Sequence, residues 1–211
     1  MILLPKNRPG FPDVSGASDC GLLALGGDLS PEWLILAYRS GIFPLYEQGE
    51  VIHWWAPNPR FVLFPDSLRI SHSTKKLLDR GVFTFSENRN FKGVITNCAQ
   101  IKRTGQTGSW ITGEMLTAYC KLHDLGLAKS VEVWQNEQLV GGFYGVDLGH
   151  IFCGESMFSR VSNASKCGFT QFVMNNAARY KVIDCQLHTN YLEQLGGVHI
   201  PREEFMKLLN C

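Results

Sequence analysis

Two short stretches carry the chemistry of this chain. Residues 152–160 read Phe-Cys-Gly-Glu-Ser-Met-Phe-Ser-Arg. A carboxylate (Glu155), two hydroxyls (Ser156, Ser159) and a guanidinium (Arg160) are threaded among Phe152, Met157 and Phe158. Charges in so apolar a segment need partners, because burying an unpaired charge is costly. A strand end whose Glu155 and Arg160 pair with each other or with water is the plain alternative. Residues 183–186 read Ile-Asp-Cys-Gln. On a strand, Asp184 and Gln186 lie two apart and face the same side. A carboxylate can orient the Gln186 amide, and the amide carbonyl can accept from a proton-bearing donor. If the intervening helix joins neighbouring strands, Glu155, Asp184 and Gln186 meet at one sheet crevice. A polar strand end with Asp184 capping a turn is the competing account.

The elements that must position these groups follow from periodicity and caps. Ser30, Pro31 and Glu32 open a helix that Gly41 ends, with Trp33, Leu34, Ala37 and Tyr38 at helical spacing. Residues 41–60 form an aromatic and proline-rich crossing, and 60–65 read as a strand. A short helix over 73–80 carries Lys75, Lys76 and Arg80. Residues 82–86 alternate as a strand, 91–100 read as a helix, and 102–109 as turns. Thr112 caps a helix through His123, with Met115, Leu116, Tyr119 and Leu122 as its apolar face. Residues 130–135 and 138–146 form a hairpin about Asn136-Glu137. A helix over 163–180, a strand over 182–186, a short helix over 190–195 and a terminal helix over 201–209 complete the chain. Residues 1–20 read as irregular. Hairpins and crossover helix together predict an α+β chain, with a small N-terminal domain over 1–60 and a mixed-sheet domain over 61–211.

Composition narrows the function. Hydrophobic residues are 45% and charged residues 18%, enough for a substantial core. The formal charge of +1 leaves any nucleic-acid contact to a local patch. Seven cysteines, an odd number without a CxxC pair, argue against a disulfide framework or zinc knuckle and fit a reducing cytoplasm. The six histidines make no i, i+4 pair, so no metal site is expected. His188, two residues beyond Gln186, is a second candidate proton acceptor. No apolar run approaches the roughly 20 residues of a membrane helix, so no membrane partner is expected.

Seven motifs then stand together. They are Gly-Leu-Leu-Ala-Leu-Gly-Gly-Asp-Leu-Ser-Pro (21–31), Gly-Ile-Phe-Pro (41–44), Trp-Trp-Ala-Pro-Asn-Pro-Arg (54–60), Gly-Ser-Trp-Ile-Thr (108–112), Gly-Glu-Ser-Met-Phe-Ser-Arg (154–160), Asn-Ala-Ser-Lys (163–166) and Ile-Asp-Cys-Gln (183–186). In order and spacing they resemble the leucyl/phenylalanyl-tRNA–protein transferases, through nearly the whole chain. The resemblance implies an N-acetyltransferase-like (GNAT) fold for the second domain. A cytoplasmic monomer is expected, and no cofactor, since the donor ester is already activated by tRNA. The resemblance implies an enzyme that moves Leu or Phe, less readily Met, from aminoacyl-tRNA to proteins beginning with Arg or Lys, marking them for degradation.

By the same resemblance, Asp184 and Gln186 promote attack by the acceptor amine, Glu155 faces the peptide end, and Trp110 stands beside the reaction centre. Phe143, Phe152, Met157, Phe169 and Phe172 surround the transferred side chain, and Lys75, Lys76 and Arg80 meet tRNA. Leu45 departs from the aromatic, often Trp, expected there as a platform for the terminal adenine. Tyr46 is the nearest substitute. Met157 is expected on the same strand face as Glu155.

Three rival readings compete with this one. An acetyl-CoA-dependent N-acetyltransferase would want glycine at the helix start, and 159–165 contain none. A noncatalytic tRNA- or peptide-binding module would not need Glu155, Asp184 and Gln186 together. Nucleophilic catalysis by Cys153 or Cys185 is disfavoured because cysteines in apolar strands are usually inert packing. For the main reading, the donor is an ester already activated by tRNA, and the nucleophile is an α-amine with a pKa of about 7.7–8.0. Asp184 can orient Gln186, whose carbonyl accepts from the amine. Asp184 as a direct base and the ribose hydroxyl as a relay are the open alternatives.

Overall fold

The computed structural model describes residues 2–101 and 110–210. The turn-rich segment expected over 102–109, with the Gly108-Ser109 start of one motif, lies outside the described residues. Among the described residues the strands form two sheets. The first holds β1 (Ile2–Leu4), β2 (Leu22–Gly26), β4 (His53–Trp55) and β3 (Phe43–Pro44), in the order β1-β2-β4-β3. The second begins at β5 (Arg60–Leu63). It continues through β6 (Thr84–Glu87), β7 (Ala128–Gln135), β8 (Gln138–Asp147), β9 (Ile151–Ser159), β10 (Val182–Gln186) and β11 (Val198–Ile200). Its order is β11-β5-β10-β9-β8-β7-β6. Residues 2–4, expected as irregular, pair in parallel with Ala24–Gly26, and the last strand, Val198–Ile200, lies antiparallel to β5.

The β7–β8 hairpin forms from two largely buried strands whose link tolerates a tight turn. Asn136 and Glu137 both take positive φ there, at +50° and +62°. β8 pairs on its other side with β9, and the register shifts between Tyr144 and Gly145. Gly145 is required at that shift, since a Cβ would stand 2.2 Å from the Cys153 carbonyl oxygen. The partner strand absorbs the extra residue at Glu155, as a β-bulge does.

Helices cover both faces of the large sheet. α1 (Pro31–Arg39), α3 (Phe91–Gln100) and α4 (Gly113–Asp124) pack on one face. There Trp33, Tyr38, Val94, Tyr119, Val146, Cys153 and Phe158 share one core that also takes in Leu23 and Trp54 of the small sheet. On the other face α5 (Ala164–Asn175) lays Phe169 and Phe172 against Phe143, Phe152 and Ile183. α2 (His72–Asp79), α6 (Asn190–Gln194) and α7 (Arg202–Leu209) complete the chain. Caps act as their residues dictate: the Thr112 hydroxyl accepts from the Met115 N–H at 3.2 Å, and the Ser71 hydroxyl from the Thr74 N–H at 3.2 Å. α5 stops at Asn175, short of the expected 180: Asn176 leaves helical geometry at φ −113°, and its side-chain amide donates to the Phe172 carbonyl at 2.9 Å.

Candidate active site

α5 crosses between β9 and β10, and the two strands become parallel neighbours, with Ile183 opposite Phe152 and Asp184 opposite Cys153. Their pairing ends there, while β9 runs on to Ser159. Both strands depart from regular geometry just past that point. β9 bulges at Glu155, and β10 shifts register between Asp184 and Gln186, where Gln186 takes a φ of +61°. The two irregularities bring Glu155, Asp184 and Gln186 together, with Gln186 bonded to both carboxylates.

Glu155 is the hub. Its Oε1 accepts from the Tyr38 hydroxyl and from the Gln186 Nε2, each at 2.5 Å, and its Oε2 accepts from the Tyr119 hydroxyl at 3.0 Å. The two phenol oxygens also touch each other. The carboxylate is half-buried, and burial lifts its pKa from 4.5 to about 7 against the opposing pull of the Tyr38, Tyr119 and Gln186 hydrogen bonds. Burial, followed by the nearby Glu155, pushes both phenols well above the usual tyrosine range, so they remain protonated. Arg160, the other charge of this stretch, is exposed and not bonded to Glu155.

Asp184 stands differently from expectation. It is fully buried, and its two oxygens accept from Arg60 Nε at 2.8 Å and Arg60 Nη2 at 2.6 Å. Oδ1 also accepts from the backbone N–H of Gln186 at 2.9 Å. Asp184 therefore orients Gln186 through its main chain, while the Gln186 amide is spent on Glu155. A carboxylate so enclosed by a bidentate guanidinium is poorly placed to act as a direct base. Arg60 itself lies between the rings of Phe43 and Phe205, at 4.8 and 4.7 Å, and Nη1 donates to the Gly41 carbonyl at 3.1 Å. Burial alone would lower its pKa, but the adjacent Asp184 raises it overall.

Other expected residues divide. Phe143, Phe152, Phe169 and Phe172 are all buried to 3% exposure or less and pack edge-on or tilted, with centroids 4.8–6.1 Å apart. Met157 borders this cluster and is half-buried. The expectation that Met157 shares a face with Glu155 is corrected. The bulge reverses the alternation, so Glu155 meets Tyr38 and Tyr119 while Met157 joins the phenylalanine side. Tyr46 is corrected as well. Its ring is 5% exposed and its hydroxyl faces Thr112 Oγ1 at 3.4 Å, so it offers no open stacking surface. Trp110 is half-buried against the core that holds Tyr38 and Tyr119.

Lys75, Lys76 and Arg80 are exposed on and just after α2. His188 pairs with Glu193 at 3.1 Å and stacks on His199 beside Phe61. Burial pushes the Cys153 and Cys185 thiols up, away from the thiolate a nucleophile needs. Among the described residues no group of His, Cys, Asp and Glu could hold a metal ion.

Tyr38, Tyr119 and Arg60 escape residue-by-residue reading. The available signal was physical: two tyrosines on buried helix faces, and an arginine opening a fully buried strand, each carry polar atoms that must find partners.

The chain is thus a mixed α+β protein in which a hydrogen-bonded carboxylate lies where two parallel strands part. The chain belongs to the leucyl/phenylalanyl-tRNA protein transferase family: residues 62–210 match the family's model and residues 27–58 that of its N-terminal domain. It is 59% identical to a leucyl/phenylalanyl-tRNA–protein transferase of Flavobacterium johnsoniae, over 94% of each chain. A relative of the same name from Flavobacterium psychrophilum is 52% identical over 94% of this chain and 95% of its own. Among solved structures, L-PGS from Bacillus licheniformis aligns with a TM-score of 0.41 and 13% identity, over 79% of this chain and 53% of that one, too slight a likeness to assign a fold.

Proposed function

We propose that this protein is an aminoacyltransferase that takes Leu or Phe, and less readily Met, from aminoacyl-tRNA. It joins them by a peptide bond to proteins beginning with Arg or Lys, which the new N-terminus marks for degradation. Family membership along nearly the whole chain carries the reading. The geometry agrees with it. A half-buried carboxylate can attract a cationic peptide end, and a fixed amide and two phenols hold that carboxylate in place.

The donor ester is already activated, so the enzyme's task is to hold a neutral amine in line with the ester carbonyl. Glu155 receives the acceptor, and Asp184, clamped by Arg60, positions Gln186. Trp110 stands beside the reacting groups. Phe143, Phe152, Met157, Phe169 and Phe172 form the wall for the transferred side chain, with the half-buried Met157 at its rim. The exposed Lys75, Lys76 and Arg80 give tRNA a cationic surface. The parallel β9–β10 pair that parts beyond Asp184, spanned by a crossover helix, supports an N-acetyltransferase-like fold for residues 61–211, with 1–60 as the smaller domain. No helix among the described residues is long and apolar enough to cross a membrane. On this reading the enzyme works as a monomer in the cytoplasm, beside its tRNA.

The test is transfer of radiolabelled Leu or Phe from charged tRNA to peptides differing in their first residue. Label on peptides beginning with Arg or Lys, and none on those beginning with Ala, supports the reading. Label on neither overturns it.

A further inference from the structure

Glu155, Tyr38 and Tyr119 close a ring of hydrogen-bonding contacts. Tyr38 Oη stands 2.5 Å from Glu155 Oε1, Tyr119 Oη stands 3.0 Å from Glu155 Oε2, and the two phenol oxygens touch each other. Each contact needs one proton between its oxygens. With Glu155 ionised, the ring holds only the two phenol protons for three contacts. However the phenols turn, one pair of oxygens meets lone pair to lone pair. With Glu155 protonated, three protons serve three contacts, and each phenol donates once and accepts once. Gln186 Nε2 donates to Oε1 from outside the ring and adds no proton to it. Unsatisfied oxygen pairs are expensive among buried groups, and Tyr38 and Tyr119 are 1% and 0% exposed, so the ring has room for one more proton.

We propose that Glu155, held between Tyr38 and Tyr119, is the proton shuttle of the transfer reaction. It takes the proton that the acceptor α-amine releases and returns it to the departing ribose oxygen. This rests on the functional reading above. The neutral amine nitrogen bonds to the ester carbonyl carbon, and the bond from that carbon to the ribose oxygen breaks. One amine proton moves to Glu155 and then to the ribose oxygen, and the other stays on the new amide. No electrons are exchanged, and Glu155 ends as it began. Tyr38 and Tyr119 remain protonated throughout and are positioning residues.

The surroundings favour this assignment over Asp184. The groups facing Glu155 are Tyr38 from α1, Tyr119 from α4, and Asp184 and Gln186 from β10. Tyr144 of β8 packs edge-on against Tyr119 at 5.5 Å, and Cys153 lies two residues back on β9. The Arg60 guanidinium is committed to Asp184 and so does not hold Glu155 ionised. Burial brings Glu155 to about 7, close to the ordinary range of a peptide α-amine, where proton transfer in both directions is efficient.

The test is single-turnover transfer from protein preloaded with Phe-tRNA to an Arg-ended peptide, followed from about pH 5.5 to about 9. The wild type is compared with Glu155→Gln, Tyr38→Phe, Tyr119→Phe and the double Tyr→Phe variant. Phe-tRNA affinity and thermal unfolding are read in parallel. Glu155→Gln should lose about 100-fold in rate with affinity within about twofold. Each Tyr→Phe variant should lose about 10-fold and displace the acid limb of the profile, and the double variant should lose little more, as groups acting as a unit do. Wild-type turnover in Glu155→Gln would sink the shuttle. So would tyrosine losses that multiply while the acid limb stays in place, which is the mark of packing alone. If the wild type itself transferred neither Leu nor Phe, the functional reading would fall and the shuttle with it. Transfer by the wild type, matched by every variant, would sink the shuttle alone.

Discussion

Arg60 and Asp184 meet across β5 and β10 in a two-bonded fork, 2.8 and 2.6 Å long and almost wholly shielded from water. The fork fixes the Asp184 carboxylate so that it can also hold the Gln186 N–H. That bond anchors the left-handed turn at Gln186 and aims its amide at Glu155. Through the Gly41 carbonyl and the Phe43 ring, the same guanidinium ties the crossing that follows α1 to the reaction centre.

Removing one member of a buried ion pair strands the other. Arg60→Met should cost about 3–5 kcal/mol. Arg60→Lys should cost somewhat less, since one ammonium cannot form the fork. Urea midpoints would read both. In the lysine variant the transfer rate should fall more than tRNA affinity, because Gln186 loses its anchor. An Arg60→Lys protein of wild-type stability and turnover would show the fork to be dispensable.

Glu155 makes stability depend on pH. Its folded pKa of about 7 lies above its ordinary value of 4.5, so the folded state binds the proton more tightly. Stability is therefore greatest at low pH on this account and declines as pH rises from 4.5 to 7, after which the full cost of the ionised carboxylate is present. The shift alone corresponds to about 3 kcal/mol, and partial exposure reduces that to about 1–2 kcal/mol. Glu155→Gln should be flatter across that window and more stable than the wild type above it, while being a poor enzyme. Denaturant melts at several pH values check the sign, and a steeper decline in the glutamine variant would contradict it.

What the sequence revealed follows the range of the forces involved. The central hairpin, the Thr112 cap and the helix at Pro31 depend on neighbours a few residues away, and their residues announce them. The strand Ile2–Leu4 exists only because Ala24–Gly26 lies alongside, and Val198–Ile200 only because β5 is there. The meeting of Glu155, Asp184 and Gln186 was legible because one crossover helix makes their strands neighbours. The side on which Met157 falls was not, since a single inserted residue at Glu155 reverses the alternation. Nor could spacing show that Asp184 belongs to an arginine 124 residues away.

The cationic face of α2 carries a prediction about salt. Lys75, Lys76 and Arg80 are exposed, and each phosphate contact contributes nearly one unit to the salt slope of binding. Changing all three to Gln should weaken different tRNAs alike and lower the slope by up to about 3 units. Folding should be unaffected, because the side chains point to water. Filter binding across salt concentrations reads the slope. A slope equal to that of the wild type would put tRNA on another surface.

The phenylalanine cluster and Met157 offer a way to tell wall from filler. Phe172 is 3% exposed and touches Phe143, Phe152 and Tyr180, so Phe172→Ala should cost about 3–5 kcal/mol whatever its role. Met157 is half-buried at the rim, so Met157→Ala should cost less, about 1–2 kcal/mol. Selectivity separates the two roles. Leu, Phe and Met are unbranched at the β-carbon, whereas Val and Ile branch there. An apolar pocket distinguishes a single methylene by only about 1–3 kcal/mol, so exclusion of Ile depends on a narrow passage near the α-carbon. If the Met157 side chain narrows that passage, trimming it should raise the Ile-to-Leu transfer ratio about 10-fold. Competition between the two charged tRNAs in one reaction measures the ratio directly. An unchanged ratio with lowered stability would make Met157 a packing residue and move the selective wall to the Glu155 face of β9.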